Sequence, residues 1–492
     1  MNPDSTADVP AGSFMQNTLL RNLFIFVFFA LFPLLLYQPA FQNDTFWLIN
    51  TGGHIVENGI PHTEPFSFHE GLDFIAQQWL TAVVFHTFFE AAGPTGLHLL
   101  IIAVYAAALF LMYRLSLNLA RGKGLIAGYI TAFSAVYLCL FMVPRPQVFS
   151  FLIFIVQISL LEYFIRDQKR SLPVALGLPA LSLLLINFHA AIWPLFLIFM
   201  VPYLIDSFKF RFAFIAGHGY RKGPLIAGFL LSFIAGAVNP YGFGAMTYLL
   251  NSYGDPLINS SVSEMFSPDF KTPFGMFVFA LVLVFVFIYR FVDGSSRLRF
   301  ILITLGTLFM GLSSVRSFPL FVIFGMVFLS YYLKDIDTSK TMPVRRRALI
   351  IAVAFLAMFS WRGTRLQEIN TIEEKFKPDA AVSFILNNLD ISGIRLYNEY
   401  NAGGYIAFKG IKVFIDSRAE VFTRKLNGKA DIFKDYIEVK IGKYHYADFV
   451  ENYSFTHLLV SKDSLLDTYL KKDRDYRVLF EDGSYVLYEK FS

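Results

Sequence analysis

Asp44, in Asn43-Asp44-Thr45-Phe46-Trp47, lies in a stretch without a single lysine or arginine from Pro39 to Gly96. A carboxylate there can take the proton of an attacking hydroxyl or amine and fix that nucleophile in line. It can equally cap the helix that begins beside it, and local sequence leaves both readings standing. Arg145 (Val143-Pro-Arg-Pro-Gln) and Arg316 (Ser313-Ser-Val-Arg-Ser) close apolar runs. Guanidinium groups bind phosphate through paired hydrogen bonds, and at the end of a membrane span they also snorkel toward headgroups. His54, Glu57 and Glu64 follow Asp44 in its loop, while Asn187, His189 and Glu264 sit at the ends of later apolar runs. Polar groups at membrane depth are costly and often functional. Near the carboxy terminus, Asp416, Arg418 and Glu420 follow the strand-like run ending at Ile415, where α/β domains often hold ligands. A structural ion network is the competing account of those three.

The elements that must hold these residues are apolar. Hydrophobic residues make up 55% of the 492, including 57 phenylalanines, and only 16% are charged. A soluble chain of this size has no interior large enough for that surface. Runs of about 20 apolar residues span a bilayer, and eleven are expected: near 22–38, 97–117, 124–142, 148–165, 172–187, 190–206, 224–238, 274–290, 299–313, 317–333 and 347–361. Gln77–Ala92 is shorter and broken by Gln78, His86 and Glu90, which suits a helix lying on the membrane surface. That choice puts nearly all basic loop residues on one side and leaves Arg145, Lys271 and Arg316 on the other, as the positive-inside rule requires. The amino terminus is then cytoplasmic, and Asp44 and everything after Trp361 lie outside.

Residues 363–492 change character. Charge rises, and strand-like runs (394–398, 412–415, 457–461, 477–480, 485–489) alternate with helical stretches (378–388, 462–471), the pattern of a small α/β domain. Glu481-Asp-Gly-Ser reads as a hairpin turn. The fold class is thus a polytopic α-helical membrane domain over 1–362, with a first outer loop at 39–96, followed by a soluble α/β domain.

The net charge of +5 comes mainly from cytoplasmic-loop residues and does not point to nucleic acid. Cys139, the only cysteine, lies within an apolar run and forms no intrachain disulfide. No cleavable signal is evident, so the first apolar run is expected to be retained. Tyr397-Asn-Glu-Tyr-Asn-Ala-Gly-Gly departs from G-x-G-x-x-G, which argues against dinucleotide binding. His54, His62, His69 and His86 show no recognised metal-ligand spacing.

One span, an outer loop opening on an acidic residue, two surface helices and a second span leading to a basic inner loop: this order resembles the GT-C superfamily of integral membrane glycosyltransferases. More narrowly, D-x-F-W…G-x-x-I-x-x-G-x-I-P-x-T-x-P-F-S-F…W-L is similar to bacterial membrane proteins of the protein-mannosyltransferase and aminoarabinose-transferase type. The resemblance implies that Asp44 is the catalytic base. With a polyprenyl-phosphate sugar as donor, the phosphate leaving group predicts inversion, and Arg145 and Arg316, isolated on the basic-poor outer side, are expected to hold that phosphate while residues of the first loop line the site. The acceptor is a glycan, lipid or protein, and the setting is the bacterial inner membrane with a periplasmic tail. Some relatives carry adjacent acidic residues at this point. Here Thr45 follows Asp44, so no cofactor is expected, with a divalent cation left open. A polysaccharide polymerase or ligase, and a non-enzymatic transporter or assembly scaffold, are the alternatives.

Overall fold

A computed structural model describes Phe29 and residues 32–37, 39–169, 171–212, 215–252, 254–291, 296–336 and 377–491. The expected span at 347–361, most of that at 22–38 and the 362/363 domain boundary lie outside the described residues.

The chain is predominantly helical. Helix α1 (Asn43–Asn58) starts after Gln42 and stops at Gly59, whose positive φ of 84° turns the chain out of the helix. The next helix, α2 (Trp79–Leu119), breaks at Ala92 and Gly93, just before Pro94. Its first limb is the segment read as a surface helix, and its second limb is the following apolar run. Then come α3 (Gly124–Leu138), α4 (Gln147–Arg166), α5 (Leu172–Phe188), α6 (Trp193–Asp206), α7 (Gly223–Gly236), α8 (Pro273–Phe291), α9 (Leu298–Ser313) and α10 (Phe318–Tyr332). Proline in the first turn of α5, α6, α7 and α10 fixes a helical φ where no amide partner is needed. Among the described residues, three helical segments, Trp79–Leu119, Gln147–Arg166 and Val315–Tyr332, are long and apolar enough to cross a membrane by length and composition; six further apolar helices are shorter.

The helical body has two chemically distinct ends. At one, Arg299 of α9 donates from Nε to Glu162 of α4 at 2.7 Å and from Nη1 to Asp206 of α6 at 2.8 Å. Arg121, Lys123, Arg166 and Arg221 make their contacts at this end. The rise along α9 from Arg299 to Ser313 is about 20 Å, and Arg316 stands just past the other end. A small sheet of β1 (Lys209–Phe212), β2 (Ile215–His218) and β3 (Ser296–Arg297) also belongs to the Arg299 end.

The carboxy-terminal region forms a four-stranded sheet in the order β4 (Leu396–Asn398), β5 (His457–Ser461), β7 (Tyr485–Lys490), β6 (Tyr476–Glu481). β4 runs parallel to β5 and the other pairs are antiparallel. The β6–β7 turn is fixed by Asp482, whose Oδ1 accepts from the amides of Ser484 and Tyr485. One expectation fails here. Residues 412–415 do not join this sheet; Val413 instead bridges to Ser67 of the first outer loop, accepting from the Phe68 amide and donating to the Phe66 carbonyl. The partner that satisfies this backbone lies more than 300 positions upstream, which local pattern does not reveal.

The contact continues as shared core. Phe68, Leu72 and Phe74 of the loop pack with Tyr397, Phe414 and Phe449, while Phe46 of α1 packs with Tyr405 and Ile406. A Cβ built on Gly404 would fall 2.6 Å from the Asn43 carbonyl oxygen. Only glycine permits that approach of the tail's backbone to the start of α1.

Candidate active site

Asp44 occupies the first turn of α1, and its carboxylate does not cap that helix. Trp47 Nε1 donates to its Oδ1 at 3.2 Å and Ser417 Oγ at 2.8 Å. Arg145 Nε stands 3.1 Å from Oδ2. Burial works to raise the Asp44 pKa, but the Arg145 charge, the Ser417 hydrogen bond, the more distant Arg316 and Trp47 outweigh it and hold the carboxyl below its ordinary value. Asp44 is therefore ionised at neutral pH.

Arg145 lies just before α4, between two prolines. Its Nη1 donates to Glu264 Oε1 at 2.7 Å. Asp44, Arg145 and Glu264 thus form a chain in which one guanidinium is shared by two carboxylates. Arg316, on the turn between α9 and α10, differs. Among the described residues it has no hydrogen bond or ion pair, and it is exposed to the open space beside Asp44.

That space is a cavity of about 360 Å³. Asp44, Gln78, His189, Arg316, Ser417 and Glu420 supply its polar wall, and Phe151, Leu195, Phe309, Met310 and Leu320 supply an apolar one. The apolar wall comes from α4, α6, α9 and α10. The polar wall is gathered from helix ends, the first outer loop and the tail. His189 Nδ1 lies 2.9 Å from Ser150 Oγ. Gln78 is buried, and its Oε1 has no hydrogen-bond partner among the described residues. Tyr248 donates to Glu420 Oε1 at 3.2 Å. Burial dominates at Glu420 and raises its carboxyl pKa, only partly countered by Arg316 and Tyr248.

Other candidates serve elsewhere. Arg418 is enclosed by Trp47, Phe66 and Phe74. It donates to both oxygens of Asp416 and, at 2.7 Å, to Glu64 Oε1. Glu64 also accepts from the amides of Phe66 and Ser67. These three residues clamp the first outer loop to the tail, with Arg418 alone reaching the cavity wall. Asn187 accepts from Trp79 Nε1 and donates to two backbone carbonyls, a structural arrangement. Glu57 is exposed, and His54 packs against the Phe66 ring; neither lines the cavity.

Sequence reasoning missed Tyr248 and Gln78 as site residues. It passed over Ser417 although the residue stands between Asp416 and Arg418. The Asp44, Glu264, Glu64 and Asp416 carboxylates are engaged by arginines, and the described residues contain no cluster of three or more His, Cys, Asp or Glu groups suited to a metal. The sequence matches no known family profile and no curated protein.

Proposed function

We propose that this chain is an inverting, lipid-linked glycosyltransferase of GT-C type. Eleven spans hold it in a bacterial inner membrane, with the amino terminus cytoplasmic and residues 363–492 in the periplasm. The observation that supports this best is the composition of one cavity: an ionised carboxylate, an unpaired guanidinium and an apolar wall of helices. A polyprenyl-phosphate sugar needs the same three things.

In this reading the prenyl chain lies along Phe151, Leu195, Phe309, Met310 and Leu320. Its phosphodiester meets Arg316, the cation with donors to spare. The acceptor hydroxyl or amine sits against Asp44. As its oxygen or nitrogen bonds to the anomeric carbon, the bond from that carbon to the phosphate oxygen breaks. The acceptor proton passes to Asp44, and the phosphate leaves with the bonding electron pair. Attack opposite the leaving phosphate inverts the anomeric centre, so no second carboxylate nucleophile is required. Arg145 is held by Asp44 and Glu264; it orients the base and adds its charge to the phosphate's surroundings.

The test is mass spectrometry of lipid co-purified with the protein, followed by a transfer assay with that lipid. Asp44→Asn should lower transfer by about 10²–10⁴-fold, the usual worth of a general base, in a protein that still folds but melts somewhat earlier, because Arg145 loses one of its two carboxylates. Full activity in Asp44→Asn would rule out the assigned base, and the absence of any bound polyprenyl phosphate would favour a transporter or scaffold.

A further inference from the structure

A second hollow lies away from the Asp44 cavity, where the first outer loop meets the tail. It encloses about 460 Å³ and is bordered by Phe68, His69, Glu70, Arg395, Lys429 and Tyr453, among others. Its two cations are exposed, and each side chain touches one backbone carbonyl. Arg395 lies over the Phe68 ring, 4.4 Å from its centre, and its Nε donates to the Tyr453 carbonyl at 3.1 Å. Lys429 Nζ donates to the Glu70 carbonyl at 3.0 Å. Neither makes an ion pair among the described residues, so each is anchored by backbone oxygen and keeps donors for a ligand. Glu70 also borders the hollow but forms no ion pair with either cation among the described residues, and Asp435 accepts from the Tyr453 hydroxyl.

His69 adds a neutral acceptor. Its Nε2 is 2.8 Å from the Phe414 carbonyl oxygen, which can only accept, so Nε2 carries the hydrogen. Burial lowers the pKa of the ring to about 4, leaving it uncharged at neutral pH with Nδ1 as an acceptor.

We propose that this hollow is a binding site for an oxyanion, the phosphate or carboxylate group of a sugar-bearing ligand, held by Arg395 and Lys429 with His69 accepting a hydroxyl. Two preplaced cations lacking carboxylate partners form the pattern that charge-assisted recognition needs. The site does not depend on the Asp44 chemistry, and its test reads binding alone. Glycan phosphates, uronates and anionic lipid headgroups share this chemistry.

The experiment uses the full chain in nanodiscs of zwitterionic lipid, titrated with labelled inorganic phosphate and with labelled trigalacturonate. Saturable binding weakened by salt is expected, at least about tenfold weaker in the Arg395→Gln, Lys429→Gln double variant. Lys472→Gln, outside the hollow, should bind as the parent does. Lys429→Gln alone disturbs a single contact to a backbone carbonyl and should show a smaller loss with an unchanged melting profile. Competition by discs containing phosphatidylglycerol would assign the site to a headgroup, and its absence would assign it to a soluble or glycan anion; either supports the site. No saturable binding of either probe, or equal binding by both lysine variants, would overturn it.

Discussion

The Ser417 hydroxyl donates a 2.8 Å hydrogen bond to Asp44 Oδ1, joining residues 373 positions apart. The carboxylate read as the base is therefore finished by the tail. Removing this bond leaves the ionised form of Asp44 less favoured, so its pKa rises. In Ser417→Ala the acid limb of the rate profile should move to higher pH, with kcat reduced about tenfold and Ser417→Thr restoring most of it. A rate profile unchanged in shape would mean that the hydroxyl only packs.

Arg418 has a different task. It is 3% exposed on its side chain and is shared as an ion-pair partner by both Asp416 and Glu64. Removing one member of a buried ion network strands the others and costs about 3–5 kcal/mol. Arg418→Met should therefore lower the melting temperature and expose the junction between the first loop and the tail to protease. Loss of activity without loss of stability would instead place Arg418 in the chemistry.

Two carboxylates should give opposite pH signatures. At Glu64, burial raises the pKa, but Arg418 and the Ser67 amide outweigh it and hold it below its ordinary value of 4.5. Its contribution to stability is present above 4.5 and is lost as pH falls through the lower, folded value. Glu64→Gln should melt earlier than the parent at pH 7, and the gap should narrow as pH falls below 4.5 toward the lower folded value. Glu420 is raised above 4.5, chiefly by burial. Its contribution is fully present below 4.5 and is lost as pH rises through the folded value. Glu420→Gln should accordingly melt later than the parent at pH 7 and alike in acid. Melting curves across pH 3–8 test both signs.

The helical body was legible because apolar run length is a local property. Of the eleven expected runs, the nine from 97–117 to 317–333 fall on described helices. The separation of 77–92 from the run at 97–117 was legible too, from the short length and polar residues of the first segment, and the chain breaks between them at Ala92 and Gly93. The assembly of the site was not. Asp44 and Arg145 advertise their types, but their 3.1 Å approach follows from how α1 packs on the helix ends. Arg145 and Arg316 look equivalent in sequence, each a lone cation on a basic-poor face. Only the geometry separates a guanidinium shared by Asp44 and Glu264 from one with no hydrogen bond or ion pair among the described residues. Val413 and Ser417 were misread or passed over for the same reason: their partners lie in the first outer loop.

That difference between the arginines sets the last prediction. Arg316 makes no hydrogen bond or ion pair among the described residues, so Arg316→Ala should leave the fold and melting temperature as they are. If its donors serve the lipid phosphate, each lost charge-assisted bond is worth about 1.5–3 kcal/mol, or about 10–100-fold in KM for the lipid donor. Arg316→Lys keeps a point charge without the planar fork and should recover only part of that. Arg145→Ala removes the charge between Asp44 and Glu264, 3.1 and 2.7 Å away, and leaves both facing a shared, partly desolvated space. It should lower the melting temperature as well as kcat. Equal donor KM values for Arg316→Ala and the parent would take Arg316 off the phosphate and leave the exposed guanidinium as a membrane-surface anchor.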